Sequence, residues 1–480
     1  MPGDTSASAP VSDAALACAD DAATTVSIYD TRDARARWRI LLSASLISLL
    51  TPVTDTIILP ALGALRGDLP GSTADTDAAL VSAYMVALGV CSLAWGPMSD
   101  ALSRRAPLAA SIVLFLAATL GCVFARDAAA LLGARAAQGA FVGATIAITQ
   151  GIVADVFAPA ERGTALGLFF VPLLVGPIVA PVVGGALTAA AGWRAIFYLL
   201  AAAAPPLLAL VAAMPETHHF LAARAWAARP GAPRIREPIP PRACASPLAP
   251  LAHLADAALA PFIACGAANF AVMFVSLTQL PTLLAEPPYS LSPAVVGAAF
   301  LPVGVAMMAG SVIGGGASDR AGARAPGRAA ARLAPALAGA AVLIPGAIGF
   351  GLAAHGGSLG GILASQALVG LGQALYMPGL FAFLSTLRQA DAASVASATM
   401  AAQFAVAGAA ISAAPPIAAA LGVAALFGIL AAAAAAALAV AALAARRSDR
   451  ADDAAALGAS GRAADAAAAD DAAAKAAVVP

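Results

Sequence analysis

Asp55 is the residue of this chain whose chemistry fits a water-soluble fold least well. It is the one ionisable side chain in the apolar stretch Ile40–Leu62. A run of about 20 apolar residues spans a bilayer as a helix, and a carboxylate within such a span costs about 2.5–3.5 kcal/mol on insertion scales. One interpretation is that Asp55 binds and releases a proton while a solute moves. The other is that its carboxyl is held by neighbouring groups as structural glue.

Arg135 is a second charged side chain inside an apolar run, and it opens the pattern Arg135-Ala-Ala-Gln138-Gly139. An arginine within a bilayer is costly unless it faces a partner or a wet cavity. It could snorkel to the nearer membrane surface. It could instead set the protonation of a carboxyl, for which we expect Asp55. Together these two residues form a candidate proton-coupling pair.

The composition indicates a membrane protein. Hydrophobic residues make up 61% of the chain and charged residues 11%, against about 25% charged in soluble domains. A net charge of zero argues against a nucleic-acid partner. The five scattered cysteines predict no disulfide or metal framework. The four histidines fall in loops or span ends without a nucleophile beside them. We therefore expect neither an enzyme nor a cofactor.

Twelve apolar runs predict an all-α membrane protein with twelve transmembrane helices. The predicted spans are 40–62, 79–98, 107–125, 130–154, 164–188, 193–213, 261–284, 293–317, 333–353, 358–384, 392–413 and 417–445. With the N-terminus in the cytoplasm, the inner side holds 22 of the 26 basic residues and the outer side three. The positive-inside rule then places both termini in the cytoplasm.

The spans group into two halves of six. The predicted domains are a disordered cytoplasmic tail (1–37), an N-terminal half (38–214), a cytoplasmic linker (215–260), a C-terminal half (261–445) and a second disordered tail (446–480). The tails are rich in alanine and aspartate and of low complexity. The linker is rich in proline and arginine.

A repeated loop supports this division. The segments 96–105 and 315–324 align at a constant offset of 219 residues, each after the second span of its half. The charged and glycine positions are Gly96, Asp100, Arg104 and Arg105 in the first copy and Gly315, Asp319, Arg320 and Arg324 in the second. Arginines can neutralise such an aspartate across a narrow loop and hold the halves together in one state. Alternatively, these charges only set the topology.

The two loops resemble the signature loop of the major facilitator superfamily. The first copy departs from that signature at Ala101 and Ser103. The pattern from Arg135 to Gly139 is similar to one found in proton-coupled members. Span 5 resembles the antiporter motif of the superfamily through Gly167, Gly176, Pro181, Gly184 and Gly185, with Ala180 in place of a glycine. Small residues at this spacing could also serve helix packing alone.

Further matches narrow the resemblance. The segment 51–61 is similar to the first span of bicyclomycin-resistance exporters, and segments 193–198 and 215–217 are similar to fungal drug:proton antiporters of the quinidine- and polyamine-resistance type. The resemblance implies the major facilitator fold, with two pseudo-symmetric six-helix halves, and proton-coupled multidrug efflux by alternating access. Alternatives are a dedicated exporter of one endogenous metabolite and a non-transporting membrane receptor. The expected location is the plasma membrane, with the vacuolar membrane as the alternative.

Polar and aromatic residues at mid-span positions are candidates for lining a substrate cavity. They are Tyr84, Gln138, Thr145, Thr149, Asn269, Thr278, Gln279, Gln366, Gln373, Tyr376 and Gln403. Each could instead join neighbouring helices. A cavity with one acid and much apolar lining suits a lipophilic solute that is neutral or cationic. The expected partners are this small molecule, protons and membrane lipid, and the expected oligomeric state is a monomer.

Overall fold

The computed structural model describes residues 25–235, 246, 248–325, 329–387 and 392–447. Twelve of its helices are long and apolar enough to cross a membrane. They are α1 (Ala34–Asp68), α2 (Ala74–Ala101), α3 (Arg105–Phe124), α4 (Ala128–Val156), α5 (Pro159–Ala191), α6 (Arg194–Ala213), α7 (Ala260–Ala285), α8 (Pro293–Arg324), α9 (Ala334–His355), α10 (Leu359–Leu387), α11 (Ala392–Leu421) and α12 (Val423–Arg447). Each coincides with one predicted span, which confirms the predicted all-α membrane fold.

The boundary between the last two spans differs from the prediction. Helix α11 continues to Leu421 through Pro415 and Pro416, whereas the sequence pattern placed the break at those prolines. Gly422 makes the turn instead, with a φ of 85°. Glycine adopts this left-handed conformation without the steric cost that other residues incur.

Helix α1 is interrupted near its middle. It consists of the segments Ala34–Ser48 and Leu50–Thr56, a 3-10 turn at Leu59–Ala61 and a last segment Leu62–Asp68. Pro60 lies in the 3-10 turn, and a proline cannot donate a backbone hydrogen bond. Asp55 therefore lies in a short helical segment directly before a break in the helix.

Within each half, glycines let helices approach closely. A methyl group at Gly139 of α4 would overlap the carbonyl oxygen of Tyr84 in α2. In the other half, a methyl group at Gly310 of α8 would lie 2.7 Å from the carbonyl oxygen of Leu371 in α10. Small residues at membrane helix crossings bring backbones into van der Waals contact. The second and fourth helices of both halves are packed in this way.

We call the end of the bundle where α1 begins the inner end, which the sequence predicts to be cytoplasmic, and the opposite end the outer end. The two halves meet in the outer part of the bundle. Gly185 of α5 packs against the carbonyl oxygen of Pro293 in α8, and Ser412 Oγ of α11 lies 2.7 Å from Ser82 Oγ of α2. Arg66, at the outer end of α1, forms an ion pair at 2.9 Å with Glu286, which follows α7. The outer ends of the halves are thus closed upon each other.

Shorter elements cover the inner end. Strand β1 (Thr25–Val26) pairs in parallel with β2 (Arg234–Ile235), and a linker helix spans His219–Ala227. The prediction of a disordered tail over 1–37 was wrong for residues 25–37, because they form β1, a 3-10 turn and the start of α1. The rest of that tail, residues 236–245 and 247 of the linker, and residues 448–480 of the second tail lie outside the described residues.

Candidate functional site

Asp55 is enclosed by the N-terminal half. Asp55 is 4% exposed, and its Oδ1 atom is buried without a hydrogen-bond partner in the part of the chain that the structure describes. The hydroxyls of its neighbours do not reach it: Thr54 Oγ1 donates to the carbonyl oxygen of Leu50 at 2.7 Å, and Thr56 Oγ1 donates to that of Pro52 at 2.9 Å. Among the described residues, the Oδ1 atom therefore accepts none of the hydrogen bonds that would hold the carboxyl as structural glue.

Arg135 is fully buried and held in place by three groups. It donates to Gln138 Oε1 at 2.6 Å and to the carbonyl oxygen of Thr54 at 3.4 Å. Its guanidinium carbon lies 4.2 Å from the centre of the Tyr84 ring. The contact with Thr54 brings it beside Asp55, near enough for an electrostatic interaction. An arginine so placed does not snorkel to the surface, so the structure favours the partnered interpretation.

The Arg-x-x-Gln-Gly pattern has a clear structural basis. Gln138 accepts from Arg135 and donates through Nε2 to Thr119 Oγ1 of α3 at 2.8 Å. Gly139 allows α4 to pack directly on the backbone of α2 at Tyr84. The pattern thus places a cation, a side chain that orients it and a close helix contact within little more than one turn of α4.

The predicted cavity residues of the N-terminal half are occupied by internal bonds. Tyr84 donates to the carbonyl oxygen of Thr51 at 3.3 Å, and Thr51 Oγ1 lies 2.7 Å from Thr145 Oγ1. Thr149 donates to the carbonyl oxygen of Thr145. These side chains connect α1, α2 and α4 around Asp55 and Arg135.

The C-terminal half differs in this respect. Tyr376 donates to the carbonyl oxygen of Phe262 at 2.8 Å, and Thr278 donates to that of Val275 at 2.9 Å. Gln403 Nε2 lies 3.5 Å from the sulfur of Met377. Gln279 is half-buried on α7. The other amides, those of Asn269, Gln366 and Gln373, each have buried atoms without a partner among the residues that the structure describes.

The first repeated loop forms a charged cluster at the inner end. Arg104 pairs with Asp100, in the last turn of α2, and with the buried Asp155 at 2.7 Å. Burial opposes the charged form of Arg104, but Asp155 and then Asp100 more than offset this and raise its pKa. Arg105 donates to the carbonyl oxygen of Ala212 at the end of α6. The loop therefore ties α2, α3, α4 and α6 together.

Glu216 completes this inner cluster. It accepts backbone N–H bonds from Arg104, Thr217 and His218, each at 3.0 Å, and from Arg105 at 3.4 Å. Burial alone would raise its pKa, but these four donors lower it below its ordinary value. Sequence analysis missed Asp155 and Glu216 as cluster members. Their available signals were a lone acid at the inner end of span 4 and the Pro-Glu-Thr that ends span 6.

The second loop is built differently from the first. Asp319 has a side chain that is 80% exposed, and among the described residues Arg332 approaches it, at 3.7 Å. Sequence analysis expected Arg320 or Arg324 in that role. Arg332 is brought there because the chain turns back through a short 3-10 helix before α9. Within the described residues, the duplication in sequence is thus not matched by an equal duplication of contacts.

The glycines of span 5 face two different partners. Gly176 packs on Pro52 of α1 at 3.0 Å, and a methyl group at Gly184 would overlap the carbonyl oxygen of Ile57 in the same helix. Gly185 instead packs on Pro293 of α8, in the other half, and Gly297 of α8 meets the backbone of Pro181. Gly167 lies nearer the start of α5. The motif therefore joins the helix that carries Asp55 to the interface between the halves.

Comparison with known proteins decides the family. The sequence profile described as Major Facilitator Superfamily matches residues 44–412. The chain belongs to the major facilitator superfamily. The resemblance noted in the repeated loops is thereby confirmed, and the family together with the twelve apolar helices makes the protein an integral multi-pass membrane protein.

Individual relatives include named exporters. The chain is 33% identical over 184 residues to the MFS antiporter QDR3 of Candida albicans, covering 38% of this chain and 26% of that protein. It is 31% identical over 174 residues to Citrate exporter 1 of Aspergillus niger, covering 36% of this chain and 33% of that protein. The matches thus span about a third or less of these relatives.

A solved structure shows the same fold over nearly its whole length. A bacterial homolog of the human lysosomal transporter Spinster, in an inward-facing conformation, gives a TM-score of 0.61 at 15% identity. The superposition covers 88% of this chain and 98% of that one. This confirms the predicted major facilitator fold.

Proposed function

We propose that this transporter exports small organic molecules in exchange for protons, by alternating access. The observation that carries the proposal is the unpartnered buried carboxyl of Asp55 beside the buried cation Arg135. A proton-coupling site needs a group that is free to titrate and a neighbour that responds to its charge. The relatives named as an antiporter and as an exporter support this direction of transport.

The geometry supports a simple cycle. With the outer end open, Asp55 takes up a proton from outside and its attraction to Arg135 is lost. With the inner end open, the proton leaves and the charged pair is restored. Solute binding to one protonation state and release from the other would couple the two fluxes. The proposed substrate is lipophilic and neutral or cationic, and the protein works as a monomer in the plasma membrane with both termini in the cytoplasm.

Transport in liposomes with an imposed proton gradient tests the proposal. Asp55→Asn keeps the size of the side chain but removes its titration, so it should abolish uphill transport while leaving downhill exchange. Transport by wild type and variant is compared over external pH from about 5 to 8, a range that includes the pH at which a buried carboxyl generally titrates. The control is Asp75→Asn, because Asp75 is an exposed acid at the outer start of α2. Equally steep accumulation by Asp55→Asn would place the coupling site elsewhere.

The leading alternative is a dedicated exporter of one endogenous metabolite, such as an organic acid, and the relative named as a citrate exporter favours it. Transport of many unrelated compounds would support multidrug efflux, whereas transport of one metabolite would support the alternative. Absence of any flux from a folded, reconstituted protein would indicate a receptor.

A further inference from the structure

Thr119, on α3, bonds to two groups through one hydroxyl. The residue is fully buried; its hydroxyl donates to the carbonyl oxygen of Phe115 at 2.7 Å and accepts from Gln138 Nε2 of α4 at 2.8 Å. A hydroxyl has a single hydrogen, so Thr119 meets Gln138 only as an acceptor. The amide nitrogen of Gln138 therefore points to α3, and the amide oxygen is left to accept from Arg135.

The direction of the Arg135 guanidinium depends on Gln138. Arg135 Nη1 donates to Gln138 Oε1 at 2.6 Å and to the carbonyl oxygen of Thr54 at the longer distance of 3.4 Å. Among the described residues, Nε and Nη2 of Arg135 have no hydrogen-bond partner. The Tyr84 ring lies against the guanidinium, but a ring face attracts a cation without setting the direction of its N–H groups. Gln138 is thus the side chain that orients Arg135.

Helices α3 and α4 approach each other closely beside this bond. A methyl group at Gly121 of α3 would lie 3.3 Å from Ala134 Cβ of α4. The short side chain of Thr119 reaches Gln138 across this narrow gap. Valine has nearly the shape of threonine but no hydroxyl, so a valine in its place would leave Gln138 Nε2 buried without this acceptor. Because a buried donor without a partner is unfavourable, the amide would turn and its oxygen would leave Arg135.

We propose that Thr119 is a positioning residue for proton coupling, which acts through Gln138 to hold Arg135 beside Asp55. This inference rests on the proposed function and adds α3 to the helices that take part in it. In the proposed cycle, the attraction between Arg135 and Asp55 is lost whenever Asp55 binds a proton. The bonds from Thr119 through Gln138 then keep the guanidinium in place until that proton leaves. Thr119 thereby influences the titration of Asp55 from a different helix.

Infrared titration of the purified protein measures this influence without a solute or a proton gradient. The carbonyl stretch of protonated Asp55 is assigned by its loss in Asp55→Asn and followed from about pH 4 to pH 9. Thr119→Val should shift the titration midpoint by about 0.4–1.1 pH units, which corresponds to the loss of one hydrogen bond between neutral groups. Thr119→Ala also lacks the hydroxyl and should shift the midpoint in the same direction. Thr119→Ser keeps the hydroxyl and should retain the wild-type midpoint.

Thr399→Val is the matched control. Thr399 of α11 is also fully buried, and its hydroxyl donates to the carbonyl oxygen of Val395, four residues earlier, at 2.7 Å. In the described part of the chain, Thr399 accepts no hydrogen bond from a side chain such as Gln138. Its substitution should therefore leave the Asp55 midpoint unchanged. An equal shift in Thr399→Val would show a general effect of a lost hydroxyl and overturn the proposal.

A double-mutant cycle in thermal unfolding tests whether Thr119 acts through Gln138. Gln138→Met keeps the length of the side chain and removes its polar atoms. Thr119→Val and Gln138→Met should each lower the unfolding temperature. The double variant should lower it by less than the sum of the two changes, because both single variants lose the same hydrogen bond. Additive changes would show that the two residues act independently and overturn the proposal.

The titration also separates this inference from the proposed function. A wild-type protein in which Asp55 does not titrate would refute proton coupling at Asp55, and the role of Thr119 with it. A wild-type midpoint that Thr119→Val and Thr119→Ala leave unchanged would overturn the role of Thr119 alone.

Discussion

At the scale of single residues, Arg135 depends on the planar shape of its guanidinium. It donates to Gln138, contacts the Thr54 carbonyl and stacks on Tyr84 at the same time. An ammonium is a compact point charge and cannot reproduce that geometry. The contacts of Arg135 therefore depend on the shape of its guanidinium as well as on its positive charge.

We predict that Arg135→Lys impairs proton-driven transport and shifts its pH dependence. Loss of one charged hydrogen bond costs about 1.5–3 kcal/mol, which corresponds to roughly a tenfold to hundredfold loss of uphill flux. The measurement is gradient-driven transport in liposomes. Arg194→Lys is the matched control, because Arg194 also stacks on an aromatic ring, that of Trp193 at 4.1 Å, but at the outer end of the bundle. Wild-type flux and pH dependence in Arg135→Lys would refute the prediction.

Asp55 and Arg135 could be proposed as a coupling pair from the sequence alone, because a charge inside an apolar run is visible without any structure. It did not identify Asp155 and Glu216, because each sits at a span end where charges are common. Only the folded chain shows that Asp155 bonds to Arg104 across 51 positions and that Glu216 accepts four backbone donors. Likewise, composition could not distinguish the bonded amide of Gln138 from the unpartnered amide of Gln373.

At the scale of helices, α5 approaches α8 so closely at Gly185 that an added methyl group would disturb the contact. Gly185 faces α8 in the other half, whereas a methyl group at Gly133 of α4 would meet nothing within 4 Å. We predict that Gly185→Ala disfavours closure of the outer end and lowers turnover severalfold, while Gly133→Ala behaves as wild type. The accessibility of cysteines introduced at the outer end measures closure, and a transport assay measures turnover. Equal behaviour of both variants would contradict the prediction.

The inner cluster contains a buried ion pair and a half-exposed carboxylate, and we predict different effects when each is changed. Asp155 is buried against Arg104, and breaking a buried pair costs about 3–5 kcal/mol. Asp155→Asn should therefore lower the unfolding temperature clearly. Asp100→Asn should reduce the transport turnover more than it reduces the amount of folded protein, because Asp100 is half-exposed. The control Asp319→Asn should change stability by less than about 0.5 kcal/mol, because Asp319 is exposed. Equal effects at 155 and 319 would contradict this ranking.

The helices themselves were predictable because length and apolarity determine what can span a bilayer. The positions at which these helices are interrupted were not predictable from the sequence. The prolines in α1 and α11 look alike in sequence, yet Pro60 lies in a 3-10 turn and Pro415 lies inside a continuous helix. Whether a proline breaks a membrane helix depends on neighbouring groups that satisfy the freed carbonyls, and these belong to the tertiary structure.

At the scale of the whole molecule, Arg66 links the halves at the outer end. Asp77 in the same half holds the guanidinium at 2.7 Å, and Glu286 of the other half meets it at 2.9 Å. Opening the outer end must break the second pair but not the first. The ion pair between Arg66 and Glu286 therefore stabilises only the state in which the outer end is closed.

We predict that Glu286→Gln shifts the population toward the outer-open state. An exposed ion pair contributes about 0.2–1 kcal/mol, so the shift should be at most about fivefold. Spin-label distances between Asp68→Cys and Ser292→Cys report it. Glu161→Gln is the control, because its pair with Arg37 at 3.1 Å is similarly exposed but joins elements of one half. An unchanged distance distribution in Glu286→Gln would contradict the prediction.

The position of α12 has a consequence for how the protein is made. Its most apolar window is 22% buried, against 78% for α7, and its Phe427 ring rests 4.5 Å from that of Phe350 in α9. A ribosome completes α9 before α12, and a methyl group at Gly351 of α9 would lie 2.9 Å from Phe427 Cβ. We therefore expect α12 to dock late, onto a groove of α9 that is already in place when Phe427 is synthesised.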